Sequence, residues 1–154
     1  MNINKVQTIK NPSIMKKTVL LIIMLISITA AFSQTERSPK PIAPYSPAVM
    51  TSTGLLFISG QIPIDMETGE LHKGDISIET RIVMERIGAL LKEHGLDYSN
   101  LVKCTVFLTD IRDYQAVNTV YGSFFDAKFP AREAIEISNL PLGASIEISA
   151  IASK

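Results

Sequence analysis

Three segments of this chain alternate polar and apolar residues with a period of two: 101–109 (LVKCTVFLT), 132–138 (REAIEIS) and 145–152 (SIEISAIA). A strand turns successive side chains to opposite faces, so this pattern demands a sheet whose two faces have different surroundings. The segments between have a helical period. Val83, Ile87, Leu90, Leu91 and His94 form one stripe, with Asp75 placed to cap it and Gly95 to stop it, which predicts a helix from Ile76 to about His94. Tyr114, Val117, Tyr121, Phe124 and Phe125 form a second stripe behind Asp113, which predicts a capped helix ending near Ala127. Upstream, Val49-Met50-Thr51 and Leu55-Leu56-Phe57-Ile58 flank Ser52-Thr53-Gly54, the layout of a hairpin, and Met66 to Glu70 reads as a turn. The order β-β-α-β-α-β-β favours a single α+β domain over residues 48–154, one sheet with both helices on one face.

One sheet face is then left without a helix. In 101–109, Val102, Cys104, Val106 and Leu108 share one side, and Lys103, Thr105, Phe107 and Thr109 the other. In 132–138, Ile135 and Ile137 point one way and Arg132, Ala134, Glu136 and Ser138 the other. In 145–152, Ile146, Ile148 and Ala150 point to the core, and Glu147, Ser149 and Ile151 away from it. The uncovered face mixes charge with apolar groups such as Phe107 and Ile151, as oligomer interfaces do. The expectation is a homo-oligomer with Arg132 and Glu147 near subunit boundaries.

The first 33 residues belong to a different class of sequence. Met15-Lys16-Lys17 precedes an apolar run from Val19 to Ile28, followed by Ala31 and Ser33 at the spacing of a signal-peptidase site. About ten apolar residues are too few to span a bilayer comfortably, so the expectation is export with no stable membrane anchor, to periplasm or exterior, from a start at Met15. Residues 34–47 carry four prolines and read as an extended arm. The formal net charge of zero conceals an asymmetry: residues 1–33 hold four lysines and no acid, leaving eleven basic residues against fifteen acidic in the rest. A body of that sign has no general attraction for phosphate backbones, which weighs against nucleic acid as a partner. The single cysteine, Cys104, and two histidines 22 residues apart, His72 and His94, offer no short-spaced metal-ligand pair.

Five segments resemble the Rid family of reactive-intermediate deaminases. They are Ile42-Ala43-Pro44-Tyr45-Ser46; Ile58-Ser59-Gly60-Gln61-Ile62-Pro63; Val117-Asn118-Thr119-Val120-Tyr121 with Phe124-Phe125; Phe129-Pro130-Ala131-Arg132; and Leu140-Pro141 with Ile146-Glu147-Ile148. The resemblance covers residues 38–153. The resemblance implies a chorismate-mutase-like homotrimer with clefts between subunits, the last strand inserted between earlier ones, and hydrolysis of 2-imino acids to 2-keto acids and ammonia without cofactor or metal. It implies catalytic roles for Arg132 and Glu147, and a cleft lined by Tyr45, Ser59, Gly60, Asn118 and the backbone at Ala134. Three positions depart from the family pattern: Ala43 stands for a common glycine, Ala134 for a common cysteine and Ser149 for a second glutamate.

The residue types suit that chemistry. The planar guanidinium of Arg132 matches a carboxylate with two parallel hydrogen bonds, and the Glu147 carboxylate can position water and exchange a proton. Without the family, Arg132 reads as a solvated charge on an edge strand, Glu147 as an interface carboxylate, Asn118 as a locally bonded helix residue and Tyr45 as a packing aromatic. Cys104 reads as a small core hydrophobe. Two other functions compete: a non-catalytic trimer that binds small carboxylates, and a ribonuclease or translation inhibitor of the kind reported for some relatives.

Overall fold

The computed structural model describes residues 44–126 and 128–154, all within one compact unit, Pro41–Lys154. The leader, most of the proline-rich arm and Ala43 lie outside the described residues. Seven regular elements follow in order: β1 (Ala48–Met50), β2 (Leu55–Gln61), α1 (Ile76–Glu93), β3 (Leu101–Leu108), α2 (Tyr114–Gly122), β4 (Ala131–Glu136) and β5 (Ile146–Ser153). They build a five-stranded mixed sheet in the order β1-β2-β5-β3-β4, parallel only between β3 and β4. The last strand is therefore central, as the resemblance implies. Its connector makes this possible through a short turn at Pro141–Gly143 in which Leu142 (φ 58°) and Gly143 (φ 71°) are left-handed.

The first helix forms where its caps demand. The Asp75 carboxylate accepts from the Ser77 and Ile78 amides, and Gly95 leaves the helix at φ 71°. Its buried face (Val83, Met84, Ile87, Leu91) meets Leu56, Ile58, Val106, Leu108, Ile146, Ile148 and Ala150 from the sheet, and Val117 and Tyr121 from α2. Both helices thus cover the same face.

Three details differ from expectation. The alternation of β3 is broken by a bulge: Leu101 pairs with Ala152 and Lys103 with Ile151, so Leu101 and Cys104 are buried while Val102 is 46% exposed. The second helix is shorter, ending at Gly122, so Phe124 and Phe125 pack against the core from the following turn. Its start is a 3-10 turn, Ile111–Asp113, capped by Asp110, whose carboxylate accepts from the Arg112 amide; Asp113 makes no capping bond.

Candidate active site

The β4 alternation, with isoleucines on one side and Arg132 on the other, has the opposite sense from the simplest reading. Parallel pairing sets Cys104 beside Arg132, Val106 beside Ala134 and Phe107 beside Ile135. Arg132 and Ala134 therefore lie on the helix-covered face, and Ile135 joins Phe107 on the uncovered one, 43% exposed. Arg132 and Glu147 do not share a face, because Glu147 pairs with Phe107 on the uncovered side.

Arg132 is held by α2. Its Nη2 donates to Asn118 Oδ1 at 2.5 Å and to the Tyr114 hydroxyl at 3.2 Å. Its guanidinium carbon lies 4.7 Å from the centre of the Tyr121 ring and 5.5 Å from that of Tyr114, distances at which a ring face attracts a cation. Tyr114, Asn118 and Tyr121 stand at i, i+4 and i+7 and so share one side of α2. The sequence reading treats both tyrosines as core stripe. Tyr121 is buried, but Tyr114 is 40% exposed and serves Arg132. The spacing of the tyrosines around Asn118 is the signal that could have found them. The Asn118 and Arg132 contacts pull the Tyr114 phenol below its ordinary pKa, while burial pushes the Tyr121 phenol and the Cys104 thiol up. The burial of Cys104 fits its reading as a core residue. Among the described residues Arg132 has no carboxylate partner; the ion pairs there are Lys103–Glu133 and Arg112–Asp110. Ala134 packs partly buried against the core beside this cluster.

Glu147 belongs to a second cluster. Its carboxylate rests directly on Gly60: a Cβ built on that glycine would meet Glu147 Oε1 at 1.7 Å. Gly60 lies in the irregular stretch of β2 between Ile58 and Gln61, where the register with β5 shifts. Partial burial raises the Glu147 pKa above the usual carboxylate value. Ser59, next to Gly60, ties the arm to the sheet. Its amide donates to the Pro47 carbonyl at 3.0 Å and its hydroxyl to the Ser46 carbonyl at 2.8 Å. Tyr45, one residue earlier, is 47% exposed. Ser59, Gly60 and Glu147 are thus brought together with the arm, and Asn118, Arg132 and Ala134 are brought together elsewhere. A hollow of about 200 Å³ on the uncovered face is lined by Phe57, Lys103, Thr105, Ser149 and Ile151 among others, and includes neither Arg132 nor Glu147. Among the described residues, no group of three or more His, Cys, Asp or Glu side chains stands close enough to hold a metal ion.

A mixed sheet with the C-terminal strand at its centre, two helices on one face and an aromatic-lined arginine on an edge strand defines the chorismate-mutase-like α+β class. The comparisons narrow the class to one family. The family model Endoribonuclease L-PSP matches residues 35–154. A RutC family protein of Pyrococcus abyssi is 48% identical over 120 residues, 78% of this chain and 94% of that protein. The 2-iminobutanoate/2-iminopropanoate deaminase of Homo sapiens is 42% identical over 118 residues, 77% of this chain and 85% of that protein. A solved structure from Yersinia pestis, of the conserved Rid protein family, has a TM-score of 0.73 at 42% identity and covers 79% of this chain and 96% of its own. The chain belongs to the Rid family.

Proposed function

We propose that this protein hydrolyses 2-imino acids to 2-keto acids and ammonia, in sites that two neighbouring protomers complete. The observation that carries the reading is the Arg132 guanidinium, oriented by Asn118 and two tyrosines and lacking a carboxylate partner among the described residues. A cation held in this way is a receptor for a carboxylate from outside the protomer. The second group, Glu147, lies on the other face of the same sheet, with β3 between its strand and that of Arg132. One protomer cannot present both to one substrate. A homotrimer, in which Glu147 of one subunit meets Arg132 of the next, resolves this, and the mixed uncovered face with Phe57, Phe107 and Ile135 supports such packing.

In that site Arg132 grips the substrate carboxylate and orients the adjacent C=N bond. Glu147 positions a water whose oxygen attacks the imine carbon, and takes one of its protons. That proton passes to nitrogen to give the carbinolamine; the proton of its new hydroxyl then moves to nitrogen through the same carboxylate, the C–N bond breaks, and ammonia leaves as the carbonyl forms. Free imines hydrolyse unaided, so positioning and one proton carrier suffice. The raised pKa of Glu147 brings it closer to the working pH, which suits proton exchange. Tyr45, Ser59 and Gly60 line the Glu147 side of the cleft in this reading, and Asn118 and Ala134 the Arg132 side.

The name of the matching family model favours a second reading, cleavage of RNA. Steeply salt-dependent RNA binding, lost with Arg132, is its signature. The leader argues for work outside the cytoplasm, on imines made by an amino-acid oxidase or supplied by a host; a mature chain beginning at Gln34 in the exported fraction is the expected finding. The test of the main reading is a coupled assay in which an amino-acid oxidase generates imines and keto-acid release is followed. Release is faster with wild type and at background with Arg132→Ala. Equal rates refute the catalytic claim.

A further inference from the structure

We propose that Tyr114 sets the affinity of the site for carboxylates, because its hydroxyl occupies the nitrogen of Arg132 that an incoming carboxylate must use. The proposal rests on the reading of Arg132 as the carboxylate receptor and adds a specificity-determining residue to it.

A guanidinium offers a carboxylate two two-pronged grips, one through Nη1 and Nη2 and one through Nε and Nη2. Nη2 is common to both. In this structure Nη2 is the nitrogen that serves protein acceptors, Asn118 Oδ1 at 2.5 Å and the Tyr114 hydroxyl at 3.2 Å. A substrate that takes either grip must displace or share one of these bonds.

The two acceptors are unequal. The Asn118 bond is short and partly buried, and it is the bond that aims the side chain. The Tyr114 bond is longer and exposed, and Tyr114 sits at the first residue of α2, where the hydroxyl can swing away at little cost. The bond that yields is therefore that of Tyr114. The Tyr121 ring, its centre 4.7 Å from the guanidinium carbon, does not compete, because it attracts the cation's charge and takes neither of these two hydrogen bonds. Tyr114 thus has two separable actions. Its ring, 5.5 Å from the guanidinium carbon, helps to hold the plane of the cation, and its hydroxyl covers one edge donor until a stronger acceptor arrives.

The substitution Tyr114→Phe separates them, keeping the ring and removing the competitor. The full trimer is titrated with 2-oxobutanoate, a product-class acid, by calorimetry, and KM is measured in the coupled imine assay. For Tyr114→Phe, both the Kd for the acid and KM fall about three-fold, the worth of one exposed hydrogen bond. Tyr114→Ala, which also loses the ring, binds the acid more weakly than Tyr114→Phe. In an Arg132→Ala background, Tyr114→Phe has no effect on binding, which a general structural role would not predict. Unchanged or weaker binding by Tyr114→Phe overturns the proposal while leaving the Arg132 reading intact. Equal binding by wild type and Arg132→Ala overturns both.

Discussion

Replacing Gly60 by alanine places one methyl group where the Glu147 carboxylate now lies. The added Cβ would stand 1.7 Å from Oε1, 2.6 Å from Cδ and 2.9 Å from Cγ, against an ordinary separation of 3.4 Å or more. Moving the terminal oxygen alone does not relieve all three contacts, so the side chain must swing as a unit and carry the carboxylate away by more than an ångström. The backbone at Gly60 is not left-handed, so alanine adds no conformational strain. It even limits the unfolded chain, an effect of about 0.4–1 kcal/mol in favour of the fold. Folding stability should therefore change by less than about 1 kcal/mol, whereas an ångström's misplacement of a catalytic group costs roughly 100-fold in rate. Keto-acid release in the oxidase-coupled assay, read beside urea unfolding, separates the two effects. The expected result is a folded protein with kcat/KM reduced about 10- to 100-fold. The Gly60→Ala/Glu147→Gln double variant should be little worse than Glu147→Gln alone, because both act through one carboxylate. A folded Gly60→Ala protein with wild-type turnover would refute the reasoning.

Three further outcomes follow from the structure. In the proposed mechanism Glu147 works as a carboxylate, and burial raises its pKa, so kcat/KM should fall on acidification through a midpoint above the ordinary carboxylate range, and Glu147→Gln should lack that limb. Because the folded-state pKa lies above the unfolded one, the linked stability is present at low pH and lost as pH rises through the folded value. Glu147→Gln should therefore melt higher than wild type at neutral pH, with the gain vanishing below the unfolded pKa; a lower melting point contradicts this. Gly88→Ala tests the core rather than the site. Its Cβ would lie 2.3 Å from the Tyr98 hydroxyl, which donates to the Met84 carbonyl at 2.9 Å, so the urea midpoint should drop by the equivalent of about 1–3 kcal/mol, and an unchanged midpoint contradicts the packing described.

Much of the fold is legible in single residues. Asp75 and Gly95 mark both ends of α1 because capping is local chemistry, and the alternation of β5 holds through the whole strand because no bulge interrupts it. What failed depends on pairing between distant segments. Nothing near Val102 announces the bulge that turns it outward, since the extra residue is defined only against Ala152 and Ile151 of β5. The face of Arg132 has the same origin. Alternation in β4 separates Arg132 from Ile135 but cannot say which faces the helices, and only the parallel register with β3 decides it. Arg132, Asn118 and Glu147 were legible as candidates through the family resemblance. Tyr114 was not, because at helical spacing a tyrosine that stacks on a cation looks like one that fills a core.

Arg132 and Glu147 lie on opposite faces of one sheet, and the proposal that two subunits share one cleft can be tested by complementation. Arg132→Ala and Glu147→Gln, each inactive alone, are co-expressed with different tags, and mixed trimers carrying both tags are assayed. An interface that joins the intact Arg132 of one variant to the intact Glu147 of the other is whole. Every trimer carrying both tags has one such interface among its three, so about one third of wild-type activity should return. Mixed trimers as inactive as their parents would contradict the account.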